Sequence, residues 1–484
     1  MIGFAIGAIN QLLIAPKVLT AEQYGLTKVI TDVGLTLATF STLGSIAIIY
    51  KFFPFYKNYL KPKQNDLPFI TLLICIVGFI LVLTVGYFSK DLIVRKYSAK
   101  SPLFVQYSYL AYPLALFMLL FMWVEAFSWT LRRTVTSSLL KEVIPRLIFT
   151  ILLVLFIFKI IPVNSLLWLF SLAYVPAFIT LFIVLKNTGE FGVYPIISPV
   201  TQKIKGKMAN FGLYLFGAQF LNLLSITSDS FILTAKSDRG LADAAVYTIA
   251  TQIVTLMQIP QRSLTAISIP ILSESWRNKD FKNINHIYNS SVSNLLVIGL
   301  AMFGLLWLNA DTMVAYLGKD YQHLKMLVLL LGIGKLIDLG TGANEQILAT
   351  SSFWRANFIT NVLYTLVAIP LNYVLISHYG LVGAAYSTLI SHTFYNIMRY
   401  IFLWYKFDMQ PYTAKHLVAL LIGVVAITAA YYLPPQRSVI IDAAIRSIVF
   451  SIILFPTVYF CKISTEINKM ADKYVLFIFR KKEA

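Results

Sequence analysis

Apolar runs of 18 residues or more recur from one end of this chain to the other, among them LPFITLLICIVGFILVLTVGYF at 67–88 and AKHLVALLIGVVAITAAYY at 414–432. That length crosses the hydrocarbon core of a bilayer. Inside lipid every backbone N–H and C=O must find an internal partner, so runs of this kind fold as helices or close into barrels. Strict apolar–polar alternation is missing, which leaves an all-α polytopic membrane protein. The composition agrees: 13% of the 484 residues are charged and 58% hydrophobic, where a soluble domain carries about a quarter charged residues.

The pattern predicts about fourteen helices, near 2–16, 26–50, 67–88, 106–128, 139–160, 165–185, 208–233, 243–270, 288–308, 324–348, 353–376, 381–405, 414–433 and 440–461. No loop is long enough for a separate domain; the longest, 186–207, has about twenty residues. Function is therefore expected inside the membrane or at its edge. No cleavable signal precedes the first span, so the spans direct insertion. The chain opens directly in MIGFAIGAINQLLIA, and a few preceding residues, or a misplaced start, are expected. Cys75 and Cys461 are expected to be buried structural thiols, since two cysteines make no disulfide framework.

Lysine and arginine concentrate in alternate loops, including Lys51, Lys57, Lys61, Lys63, then Arg132, Arg133, Lys141, Arg146, then Lys186, Lys203, Lys205, Lys207, and the tail 462–484. The positive-inside rule then places both termini in the cytoplasm. The same bias accounts for most of the +19 net charge as loops facing an anionic leaflet, so no nucleic-acid partner is expected. The outer loop SKDLIVRKYSAKS (89–101) is the exception. An amphipathic segment lying on the outer surface explains it better than a substrate contact.

The stretches EQYGLTKVITDVG (22–34), DAAVYTIATQIV (243–254) and HYGLVGAAYSTLISH (378–392) are weakly alike. They fit two six-helix halves, 1–185 and 208–405, joined by a cytoplasmic linker at 186–207, with 406–461 adding helices 13 and 14. Repeated halves with a site at the membrane midplane are a transporter plan.

Enzyme signatures are absent. GIGK at 332–335 lacks the spacing of a phosphate loop and sits mid-span. There is no HExxH, no CxxC and no DxD pair, and the five histidines are scattered. The chain is not expected to be an enzyme or to hold a metal or cofactor.

What remains are ionisable residues within spans, each disfavoured by about 2.5–3.5 kcal/mol at a helix centre and so expected to face protein or water. In LLLGIGKLIDLGTGANEQ (329–346), Lys335, Asp338 and Glu345 share one sector of an unbroken helix with Gly342. Lys335 and Asp338, three apart, can touch, and the nearby glycines permit a bend. Lys335 suits an anionic substrate, and Asp338 or Glu345 a proton or cation; a self-neutralising buried pair is the alternative. Lys28 and Asp32, four apart near the outer end of their helix, form a second such pair, with snorkelling of Lys28 to the interface as the equal alternative. Asp32, and Asp229 among Thr227, Ser228 and Ser230 with Asn222 on the same face, are further ion-coupling candidates, with a helix-to-helix hydrogen bond as the equal alternative for Asp229. Arg399, Glu125 and Arg446 lie near helix ends, where snorkelling explains them more simply than a site.

Several stretches carry a resemblance: FAIGAINQLLIAPKVLTAEQYGLTKVITDVGL (4–35), SSLLKEVIPRLIFTILLVLF (137–156), SDSFILTAKSDRGLADAAVYTIATQIVTLMQIPQRSLTAISIPILSESW (228–276) and YGLVGAAYSTLIS (379–391). Over nearly its whole length the chain resembles the polysaccharide flippases of the MATE-like superfamily, which move lipid-linked O-antigen, capsule or exopolysaccharide repeat units. The Tyr-Gly and Gly-Ala-Ala turns recur through that superfamily and bear on fold more than on substrate. Such relatives usually begin with a short basic segment. The resemblance implies a multi-pass protein of the bacterial inner membrane that flips a polyprenyl-pyrophosphate-linked oligosaccharide for lipopolysaccharide or related surface polysaccharides. Proton or sodium gradients would drive alternating access. Membrane lipids, and further off the polysaccharide polymerase and chain-length machinery, are the partners it implies. Lys335, Lys28 and, third, Arg399 are the cations available for the pyrophosphate. A MATE-like cation-coupled multidrug exporter and a lipid II flippase are the rival readings on the same fold, and a membrane glycan polymerase or ligase is the rival from another class.

Overall fold

The structure is a computed structural model that describes residues 2–436, 438–470 and 472; of the expected basic tail, 471 and 473–484 lie outside the described residues. Among the described residues every regular element is helical. Seven helices of the described residues are long and apolar enough to cross a membrane, and three bent pairs raise that number to ten. Many large apolar side chains remain exposed, such as Ile76, Ile80 and Leu81 on one helix and Ile448, Ile452 and Phe455 on another. Apolar belts of this extent face lipid. The chain is an all-α multi-pass membrane protein.

It divides into two compact units, Met1–Ala245 and Val246–Ala484. In the first, Ala21–Ser41 packs on Leu67–Phe88, Ala111–Thr130 and Pro199–Lys236, and Ser45–Tyr59 packs on the same three. The single helix expected over 26–50 is thus two, bent by 46°. The first helix contains a π turn, Ile9–Ile14, ahead of Pro16. Proline supplies no N–H to the preceding turn, and the wider π spacing accommodates that loss. It also aims buried Asn10 at the Thr134–Ile157 helix, where the amide donates to Arg146 O at 2.9 Å and accepts from Thr150 Oγ1 at 3.0 Å.

The basic segment 89–101, expected at the outer surface, forms a short helix, Lys90–Tyr97, with no buried residue. Lys100 just beyond it bonds Asp238 at 2.8 Å and holds that exposed carboxyl below the ordinary range. Cys75 is buried as expected, but Cys461 is exposed; it follows the last residue of its helix, where no neighbour covers it.

In the second unit, Phe281–Leu308 packs on Ile259–Arg277, Leu324–Gly340, Ala414–Tyr431 and Val439–Phe460. Ala419, Gly423, Ala426 and Ala430 recur at spacings of four, three and four and form the buried face of Ala414–Tyr431. Small residues at this period let membrane helices approach closely, where dispersion rather than water exclusion supplies the attraction. Leu300 fills the space over Gly423 so closely that an added Cβ would come within 2.8 Å.

The longest helical segment, Trp354–Phe407, is two helices. Gly380 adopts φ 55° and ψ −133°, a combination that only glycine takes without strain, and the chain reverses there. The cross-contacts step outward symmetrically: 375 with 383, 364 with 392, 361 with 395, 357 with 399. The expected helices 353–376 and 381–405 are therefore the two arms of an antiparallel hairpin. The helix expected over 243–270 is interrupted by a 3-10 turn at Leu256–Gln258, and the one over 324–348 breaks into Leu324–Gly340 and Asn344–Thr350, bent by 49°.

Candidate functional site

Four charged residues of the second unit, Lys335, Asp338, Glu345 and Arg399, form one column. At its centre Lys335 Nζ lies 2.6 Å from Asp338 Oδ2, an i, i+3 pair with side-chain exposures of 11% and 16%. The carboxylate has two further donors. Gln261 reaches Oδ2 at 3.4 Å from the Ile259–Arg277 helix, and Asn396 reaches Oδ1 at 3.4 Å from the second hairpin arm. Asn396 also accepts the Thr341 hydroxyl at 2.9 Å and the Asn344 amide at 3.3 Å. A single amide thus ties the carboxylate to the break in the helix that carries it.

That break corrects one expectation. Glu345 does not continue the Lys335–Asp338 sector. Residues 341–343 leave the helix, with Gly342 at φ +63°, a left-handed conformation that disfavours side chains. Glu345 begins a new helix, and its carboxylate meets Arg399 Nη1 at 3.4 Å. The 100° rule holds only along an unbroken helix.

Arg399 corrects a second. It does not snorkel: its side chain is 1% exposed. The guanidinium donates to Asn357 Oδ1 at 2.7 Å and stacks 3.8 Å over the ring of Tyr395. Its Nε is buried with no hydrogen-bond partner among the described residues. Tyr395 in turn donates to Asn361 at 2.6 Å. One arm presents Asn357, Asn361 and Tyr364, the other Arg399, Tyr395 and His392. Each set runs at spacings of four and three or three and four, which places it on one helical face. The two sets meet across the hairpin. His392 Nδ1 is also buried without a partner among the described residues.

The remaining candidates have other partners. In the first unit Lys28 Nζ pairs with Asp32 at 2.7 Å; the lysine is one-third exposed and the carboxylate buried. Asp229 is half-buried with Ser228 Oγ at 3.5 Å, and the side chain of Asn222 lies outside the described residues. Glu125 is buried and paired with Lys141 at 3.0 Å. Arg446 pairs with Asp442 at 2.6 Å and donates to Ala430 O at 3.0 Å and Leu433 O at 2.9 Å, satisfying carbonyls left over at a helix end.

Sequence reasoning missed Asn357, Asn361, His392, Asn396 and Gln261. A signal was present: His392, Asn396 and Arg399 stand four and three apart in an otherwise apolar span. It also missed Asp66, fully buried between helices of the first unit, where Oδ2 accepts from Ser198 N at 2.7 Å and Thr201 Oγ1 at 2.8 Å.

Chemically, the second-unit column holds two cations, each with an adjacent carboxylate that an anionic ligand can replace. The family model for polysaccharide biosynthesis proteins matches residues 1–276, more than half of the chain. The chain belongs to that family. The Lys335–Arg399 column lies beyond the matched portion of this chain.

Solved membrane transporters share the fold, among them the following three. A lipid II flippase, MurJ in an inward closed conformation, superposes with a TM-score of 0.69 at 15% identity, over 93% of this chain and 96% of its own. An inward-facing MATE family multidrug resistance transporter of the MOP superfamily gives 0.65 at 15%, over 88% and 94%. A mutant of the Vibrio cholerae MATE transporter VcmN gives 0.54 at 12%, over 84% and 93%. No curated protein matches the chain. Identities this low establish a common fold and leave the cargo open.

Proposed function

We propose that this polysaccharide biosynthesis protein is a flippase that carries a polyprenyl-pyrophosphate-linked oligosaccharide across the bacterial inner membrane, with both termini in the cytoplasm. The observation that carries the reading is the Lys335–Asp338 pair, two opposite charges sequestered within a membrane-spanning bundle beside a second buried cation, Arg399. A buried pair is weak evidence for stability alone, because desolvation opposes the Coulomb gain. Its retention in lipid fits a partner exchange. Lys335 turns from Asp338 to the cargo's diphosphate, and the released carboxylate takes up a proton or a sodium ion. The sugar moiety then meets the amides and the phenol of the hairpin face, and the prenyl tail stays in the bilayer.

The fold shared with a lipid II flippase supports a second reading with a related cargo; both cargoes are lipid-linked and anionic. A multidrug exporter on the same fold is favoured less, because it would need to tolerate two buried cations near a cationic drug.

The test is lipid extraction from cells lacking the protein, with the last glycosyltransferase of the pathway intact. Finished repeat units on the polyprenyl carrier, confined to the inner leaflet, support the flippase. Accumulated lipid II moves the cargo to the cell-wall precursor. Normal intermediates together with normal surface polysaccharide refute both.

A further inference from the structure

Three helices of the first unit end around one cavity of about 420 Å³, lined by Phe53, Lys57, Arg132, Arg133, Thr188 and Glu190 among others. All of it belongs to the first unit, well separated in sequence from the column around Lys335. Its charge is uneven. Lys57 Nζ pairs with Glu190 at 2.7 Å. Arg132 and Arg133 make no ion pair among the described residues, and both are exposed. Two adjacent arginines thus line the cavity without an ion-pair partner among the described residues.

Arg132 is one of six non-glycine residues with positive φ among the described residues. The N–H of Arg133 bonds Ser128 O at 2.8 Å and that of Arg132 bonds Trp129 O at 3.1 Å, the paired closure that ends a helix with one left-handed residue. That residue is Arg132, at φ +59°, where glycine is the least strained choice. Around the cavity, Phe55, Tyr59, Trp129, Val135 and Leu139 are exposed, so it opens where a lipid-facing belt meets basic loops. The positive-inside bias puts that border on the cytoplasmic leaflet.

We propose that this cavity binds a phosphate-bearing anion, held by the forked donors of Arg132 and Arg133, with the Lys57–Glu190 pair as its adjustable wall. Planar guanidiniums match phosphate oxygens two at a time, and basic pockets at the cytoplasmic border take lipid headgroups. The ligand chemistry is the phosphate itself, from an anionic phospholipid headgroup or from a free diphosphate.

The experiment uses the full-length protein in two arms: native mass spectrometry of bound phosphatidylglycerol against phosphatidylcholine, and equilibrium binding of radiolabelled inorganic diphosphate. The variant combines Arg132→Gly with Arg133→Gln; glycine suits the left-handed position, so the turn is retained. Lys203→Gln with Lys205→Gln removes two charges elsewhere and serves as control. A tenfold or greater loss in the arginine variant, with the control unchanged, is expected. Loss in both arms identifies phosphate as sufficient; loss with phosphatidylglycerol alone identifies a lipid headgroup; loss with diphosphate alone identifies a soluble ligand. Glu190→Gln, which frees Lys57, should tighten whichever arm responds by several-fold. Unchanged binding in both arms, or an equal loss in the lysine control, overturns the proposal.

Discussion

Glu345 meets Arg399 at 3.4 Å because the helix that would have carried the glutamate onto another face breaks at residues 341–343. The contact joins a half-exposed carboxylate to a guanidinium that is otherwise enclosed, so the break sets the charge balance of the column.

Gly342 is the conformational requirement for that break. A Cβ there would stand 2.5 Å from Ser291 Oγ and 2.9 Å from Val292 N, on a backbone with φ +63°. Gly342→Ala is expected to cost about 1–3 kcal/mol and to lower the unfolding temperature of the purified protein. Gly340→Ala, whose Cβ would meet Leu296 at an ordinary 3.5 Å, should be close to neutral. Equal unfolding temperatures for the two variants would show that the break does not depend on the glycine.

Removing one member of the Lys335–Asp338 pair leaves a buried charge without its main partner, which typically costs about 3–5 kcal/mol. Lys335→Gln or Asp338→Asn alone should therefore destabilise more than the two together, and a double-mutant cycle on thermal unfolding measures the coupling. Function should separate the two singles. Asp338→Asn keeps the cation and should still bind cargo, but its transport should no longer respond to the gradient. Wild-type gradient dependence in that variant would contradict the exchange.

Arg399→Lys keeps the charge and loses the plane. The stack on Tyr395 and the bond to Asn357 depend on the guanidinium's shape. Transport should fall at least tenfold, with a stability loss of about 1–3 kcal/mol. Comparison with Tyr395→Leu, which removes the ring and keeps the arginine, assigns the stack its share. A lysine variant with wild-type transport would make Arg399 a simple countercharge to Glu345.

Much of this is legible in the sequence, for physical reasons that also explain the gaps. Apolar length marks spans whatever they pack against, and the i, i+3 spacing of Lys335 and Asp338 brings them together in any helix. Periodicity misplaces Glu345 because it assumes an unbroken helix. Snorkelling fails for Arg399 because nearness to a helix end in sequence does not reveal what covers the side chain in space. Its covering residues, Asn357 and Tyr395, sit on the two arms of a hairpin, and the register of that hairpin is fixed by Gly380 rather than by local pattern. Asp66 is invisible to local pattern because its partners, Ser198 and Thr201, lie more than 130 residues away in sequence.

Asp66 gives a prediction of its own. Its buried carboxylate holds the start of the Pro199–Lys236 helix through Ser198 N and Thr201 Oγ1, and Thr201 Oγ1 also lies 2.6 Å from Tyr56 Oη. Asp66→Ala leaves those donors unpaired and should cost about 2–4 kcal/mol. It should also speed proteolytic cleavage between 187 and 198, while Thr201→Val should show a smaller effect. Unchanged cleavage in Asp66→Ala would mean that the segment is held by other contacts.

The most direct test of the transport claim is reconstitution of the full chain into liposomes carrying a polyprenyl-diphosphate-linked oligosaccharide in the outer leaflet. Loss of access to a membrane-impermeant glycan hydrolase reports movement to the inner leaflet. The account predicts that wild-type protein moves the lipid under an imposed ion gradient, that Lys335→Gln abolishes the movement in folded protein, and that a cationic dye is not carried. Movement of the dye without the glycolipid, or glycolipid movement unaffected by Lys335→Gln, would contradict it.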